Sequence, residues 1–118
     1  MELLIDNVLN IGEDEFYRTQ RYKLPLVVIL INTEDRNAFD ILNNCTRQTD
    51  IIQQLDYNLL VVFLTHTDFE SSKKFIEKIE NKFTLTYTSA EYKNNPQKFI
   101  EELFLQNSNK YDGTIDNT

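Results

Sequence analysis

The alternation of apolar and polar positions divides this chain into segments of helical and strand-like period. Leu26 to Ile31 is an unbroken apolar and β-branched run, the pattern of a strand covered on both faces or central in a sheet. Upstream, Glu13 to Lys23 reads as a helix with Phe16 and Tyr17 turned inward, and Pro25 bars its continuation. Before it, Leu3, Leu4, Ile5, Val8, Leu9 and Ile11 fit either a short strand or a helix. After the first strand, Ala38, Phe39, Leu42 and Cys45 recur at helical spacing, giving a helix over 35–46. Ile51 to Leu55 and Leu59 to Leu64 then flank Asp56, Tyr57 and Asn58, a break in which Asn or Asp can take a left-handed turn position, so a hairpin is expected.

Thr67 and Glu70 have the spacing of a capping box, and Phe69, Ser72, Phe75, Ile76 and Ile79 mark one face of a helix reaching about Asn81. Phe83, Leu85 and Tyr87 alternate with threonines, the period-two pattern of a strand with one buried face. Asn95 is the expected cap of a last helix, Pro96 fits its first position, and Phe99, Ile100, Leu103 and Phe104 form its apolar stripe. The core order, strand, helix, strand, strand, helix, strand, predicts an α+β fold of ferredoxin-like β-α-β-β-α-β type. Helices pack on one face of an antiparallel sheet, with extra N- and C-terminal helices. Residues 1–105 form one domain, and 106–118 carry too few apolar side chains to offset ordering entropy, so a flexible polar tail is expected there.

Charge narrows the partners. With 12 Lys and Arg against 19 Asp and Glu, the net charge of −7 excludes a broad electrostatic grip on nucleic acid or an anionic membrane, though it leaves room for a local basic pocket. The longest apolar runs are strand-sized, so membrane insertion is not expected, and Glu2 and Asp6 stand where a signal peptide would carry Lys or Arg. A cytoplasmic protein follows. The single cysteine, Cys45, excludes an internal disulfide and cannot build a zinc site; it reads as a small hydrophobe on a helix. His66 has no nucleophile or acid at interpretable spacing and reads as an exposed polar residue.

Arg47 to Asp68, RQTDIIQQLDYNLLVVFLTHTD, resembles the core of a GGDEF (diguanylate cyclase) domain: an R-x-x-D pair before a strand, a signature turn, a second apolar strand and a T-D helix start. The resemblance extends to RYKLPLVVILINTED and KFTLTYTSAEY, covering residues 16–92. It implies a bacterial regulatory domain that handles guanine nucleotides. Active members hold GTP and two divalent cations with an acidic residue after the first strand and acids in the hairpin turn, where hard cations need carboxylate oxygens. This chain has Asn32 at the first position and Asp56, Tyr57, Asn58, Leu59 and Leu60 across the turn, so the glycines and metal-binding acids are gone. The chain is also roughly twenty residues short between the first strand and the hairpin, where family members contact guanine.

The resemblance therefore implies a catalytically inactive domain, with no catalytic residue, metal or cofactor. What it leaves is the R-x-x-D pair, Arg47 and Asp50, which stands at the family's product-binding site for cyclic di-GMP. Arg offers a planar fork for phosphate and guanine, and Asp an acceptor for the guanine edge. Lys74 and Lys78, on the following helix, are the comparable basic residues. Read from the residues alone, Arg47 and Asp50 are a helix exit and strand start joined by an ion pair. The alternative function is a protein-interaction or homodimerisation module without a nucleotide, for which Tyr17, Tyr22, Tyr57 and Tyr92 are candidate exposed aromatics.

Overall fold

The computed structural model of the protein describes residues 2–116, with side chains described through residue 108. The elements are α1 (Glu2–Tyr22), β1 (Leu26–Asn32), α2 (Ala38–Cys45), β2 (Ile51–Asp56), β3 (Leu59–Thr65), α3 (Phe69–Glu80), β4 (Thr86–Glu91) and α4 (Pro96–Asp116). The strands form one antiparallel sheet in the order β2-β3-β1-β4, the ferredoxin-like arrangement. The ambiguous N-terminal segment is helical and continuous with the helix after it, so α1 is a single element.

The central pair decides the layering. In β1 and β3 nearly every side chain is buried, and because successive side chains point to opposite faces, both faces of the sheet must be covered. Val27, Ile29, Ile31, Leu60, Val62 and Leu64 meet α2 and α3 through Leu42, Ile76 and Ile79. Val28, Leu30, Val61 and Phe63 meet α1 and α4 through Val8, Phe16, Ile100, Leu103 and Phe104. Each large apolar side chain left open on that second face would forfeit about 1.5–3 kcal/mol. The two terminal helices thus complete the domain, and the two core helices share one face as expected.

Several local expectations are corrected. Tyr17 points outward, where its hydroxyl accepts from Arg21 Nη1 at 2.9 Å, whereas Tyr92, expected outside, is 3% exposed. Tyr92 packs with Phe16 and Phe99 at ring-centroid distances of 4.9 and 5.3 Å. Phe39 and Phe69, each in the first turn of its helix, also lie at the surface. The fourth strand begins three residues later than the threonine alternation suggests, and Phe83 reaches the core from the preceding loop.

The cap of α3 is Asp68 rather than a Thr67–Glu70 box. Asp68 Oδ1 accepts from the Ser71 amide at 2.8 Å, and Glu70 pairs with Lys73 instead. Asn95 caps α4 as expected, accepting from the Lys98 amide at 3.2 Å. In the hairpin no residue has a positive φ; a bulge between Gln54 and Asp56 absorbs the turn, and Gln54 Nε2 bonds the Asp56 and Leu59 carbonyls. The segment from Gln106, expected as a tail, continues α4 in backbone to Asp116; the side chains of 109–116 and residues 117–118 lie outside the described residues.

Gly12, at the middle of α1, lets the helix approach the sheet: a Cβ there would run into the Phe63 ring. Phe63 is fully buried, so it cannot swing away. Gly12→Ala gains about 1 kcal/mol of helix propensity but overpacks the core, and we expect a net loss of about 1–2 kcal/mol in urea unfolding; a more stable variant would refute the contact. A second test is the Asp68 cap. Hydrogen bonding from Ser71 holds its carboxyl below the usual carboxylate range. A depressed folded-state pKa contributes stability above the unfolded value that disappears as pH falls through the folded one. Asp68→Ala should unfold more easily than the wild type at neutral pH, and the gap should close as the solution is acidified into and below the carboxylate range.

Candidate functional site

The positions where the resemblance places metal chemistry meet at one end of the sheet. Asn32 ends β1 opposite Leu59, and the Thr33 amide donates to the Asn58 carbonyl at 3.0 Å. None of the groups gathered at these matched positions beside Asp56 is a carboxylate. Leu59 is 8% exposed and packs into the α1–α4 core, so its position cannot face a cation. Asn32 Nδ2 donates to Asn107 Oδ1 at 2.7 Å, and Thr88 Oγ1 donates to the same oxygen at 3.2 Å. An amide from α4 is thus seated on the residue at which the resemblance places a metal ligand.

Asn107 was not among the expected site residues. Its signal lay in the spacing: continuing the stripe Ile100, Leu103, Phe104 by one turn reaches residue 107 on the inward face. Two cavities adjoin this end. One, of about 380 Å³, is lined by Asn32, Asn58, Glu34, Asp35 and threonines, and the other, of about 230 Å³, by Asp35, Arg36, Tyr57 and neighbours. Asp35 Oδ1 is already taken by the Asn37 amide at 2.8 Å. Among the described residues no group of three or more His, Cys, Asp or Glu side chains could hold a metal ion.

Arg47 and Asp50 come together at the opposite end, between α2 and β2. Asp50 Oδ2 accepts from the Arg47 amide and Nε at 2.9 and 3.1 Å; Oδ1 accepts from Arg47 Nη2 at 3.0 Å and the Thr65 amide at 3.1 Å. Arg47 Nη2 also donates to the Thr65 carbonyl and to Thr67 Oγ1. The pair therefore brackets exposed His66, whose backbone is left-handed with φ 52°. Burial splits the two partners, with 2% of the Asp50 side chain exposed against 56% for Arg47. Asp50 is an internal acceptor, and only Arg47 presents an outer edge to solvent.

Beside them lies an open cavity of about 450 Å³ lined by Asn43, Thr46, Arg47, Gln48, Asp50, Ile51 and Ile52. Lys74 and Lys78 are exposed on α3 and line none of the four cavities described for this fold. The structure brings together Arg47 and Asp50 but does not add the two lysines to their cavity. No helix among the described residues is long and apolar enough to cross a membrane.

No family model matches the sequence, and a comparison with curated proteins finds no significant match. Solved structures do match. A DGC protein from Thermotoga maritima superposes with a TM-score of 0.64 at 17% identity, over 86% of this chain and 88% of that one. PelD from Pseudomonas aeruginosa superposes with a TM-score of 0.57 at 19% identity, over 75% of this chain and 39% of that one. At these identities the likeness is one of fold, and the fold is that of a GGDEF-like domain.

Because Asp50 is buried beneath donors from two segments, its removal strands the Thr65 and Arg47 amides. Asp50→Ala should cost about 2–3 kcal/mol in urea unfolding, and Arg47→Ala less, since the Arg47 side chain is half in solvent. Equal and negligible losses would show that the pair is only a surface ion pair.

Proposed function

We propose that this chain is a non-catalytic GGDEF-like regulatory domain that acts in the cytoplasm by binding rather than by turnover. The observation that carries this reading is the Asn32–Asn107–Thr88 network at the metal end of the sheet. Attack of a ribose hydroxyl on an α-phosphate needs cations to neutralise developing charge and lower the hydroxyl's pKa. Neutral amides do neither, and Leu59 faces the core. Likeness to the DGC protein supports the fold and carries no activity to this chain.

The ligand that fits this reading is cyclic di-GMP at Arg47. The outer edge of its guanidinium faces a cavity within the range of small-molecule sites, and a guanidinium suits phosphate and guanine acceptors. Asp50 would act there by fixing the guanidinium plane, since its own oxygens are occupied; Lys74 and Lys78 would have to reach the ligand from α3. The alternative is a docking module for a protein partner or a second copy. It is supported by surface exposure of Tyr17, Tyr22, Tyr57, Leu3 and Leu105.

Incubation with GTP and magnesium should yield no cyclic dinucleotide; product would overturn the inactive assignment. In calorimetry, cyclic di-GMP should give saturable heat with the wild type that Arg47→Ala abolishes. Absence of heat from the wild type at about 50 µM, a concentration where specific ligands normally register, would remove the receptor reading and leave the docking module, which sedimentation of the same samples would then report as a dimer or a partner complex.

A further inference from the structure

The sheet order β2-β3-β1-β4 leaves β2 and β4 outermost, each with one edge unpaired. Such an edge presents a row of free N–H and C=O groups to any strand laid beside it, and folds discourage this with lysine, proline or a bulge. Over Ile51–Asp56, β2 carries neither lysine nor proline, and its bulge lies between Gln54 and Asp56, so Ile51–Gln54 keep regular ladder geometry. Its aliphatic side chains are incompletely covered on both faces of the sheet. Ile51 and Leu55 pack at the margin of the α1–α4 core and Ile52 at the margin of the α2–α3 core, each half-buried. The other outer strand differs: Thr86, Thr88 and Ser89 give β4 hydroxyls in their place, and its one charge, Glu91, is already paired with Lys93.

Charge identifies what fits this edge. Arg47 precedes β2, half in solvent, and the cavity it lines includes Ile51 and Ile52, so its guanidinium lies at the first end of the strand. Asp56 stands exposed at the other end; one carboxylate oxygen accepts from the Tyr57 amide at 2.7 Å, and no cation among the described residues pairs with it. Between them the strand is neutral. In a chain of net charge −7, whose copies repel one another over most of their surface, this edge is locally balanced, with a cation at one end and an anion at the other. It is therefore complementary to itself when laid antiparallel.

We propose that β2 pairs with β2 of a second copy, antiparallel about a two-fold axis that passes through Gln53 perpendicular to the sheet, so that the two four-stranded sheets become one. A two-fold axis in that direction keeps the α2 layers of both copies on the same face. Gln53 then lies opposite its own copy, Ile52 opposite Gln54, and Asp56 level with Asp50, where the Arg47 guanidinium of the other copy sits. Asn43 of α2 borders the same cavity as Ile52, and exposed Phe39, one turn earlier, brings an aromatic ring to that side of the seam. This gives the docking reading a definite surface, and it requires no nucleotide.

Sedimentation equilibrium of the full chain, without nucleotide, tests this. A monomer–dimer equilibrium is expected, with amide hydrogen exchange over 51–54 slowing as concentration rises. Gln53→Lys sets two ammonium groups directly opposite each other at the axis, and Asp56→Lys sets one beside Arg47; each should weaken association about tenfold or more while circular dichroism stays that of the wild type. Tyr17→Ser, on the exposed surface of α1, should leave the dimer as tight as before. A chain still monomeric at about 1 mM, the weak end of specific association, would overturn the assignment, as would a dimer that survives both lysine substitutions undiminished or one that Tyr17→Ser dissolves.

Discussion

Everything in this molecule depends on two adjacent strands that have no solvent face. β1 and β3 bury both sides, so a sheet that could otherwise stand half in water needs a helical layer above and below. The inner pair of helices comes from the β-α-β-β-α-β order itself. The outer pair comes from the chain ends, which is why α1 and α4, outside the ferredoxin-like core, are integral to stability. The Asn32 end of the sheet is shaped by the same constraint, since α4 in covering Leu30 and Phe63 also delivers Asn107 to Asn32.

The two ends of the sheet have diverged in character. At one, Asn32, Asn107 and Thr88 satisfy one another, and Leu59 has turned into the core. At the other, Arg47 and Asp50 tie α2 to the end of β3 through the Thr65 backbone, which gives the R-x-x-D pair a structural task whatever it binds. A motif that family resemblance marks for ligand recognition is thus also a clamp on the chain, and mutational loss of binding there has to be separated from loss of stability.

Much of this was legible in the sequence because burial leaves a periodic trace. The continuous runs Leu26 to Ile31 and Leu59 to Leu64, the i, i+3, i+4 stripes of α3, Phe69 apart, and of α4, and the Asn95–Pro96 start appear as expected. The errors occur where local pattern has no access to neighbours. Tyr17 and Tyr92 exchange places between surface and core because an aromatic's position depends on which helix crosses it. Asp68 displaces the Thr67 cap because Arg47 has already engaged Thr67. Asn107 sits in polar, low-complexity sequence, and nothing local shows that the sheet's end awaits an amide.

Gly12 has a mechanical consequence. Contact with Phe63 lies at the midpoint of a helix of 21 residues, about 30 Å long. With Ile5 and Val8 buried on one side of that contact and Phe16 on the other, the close approach at Gly12 sets the depth at which the whole helix is seated on β3.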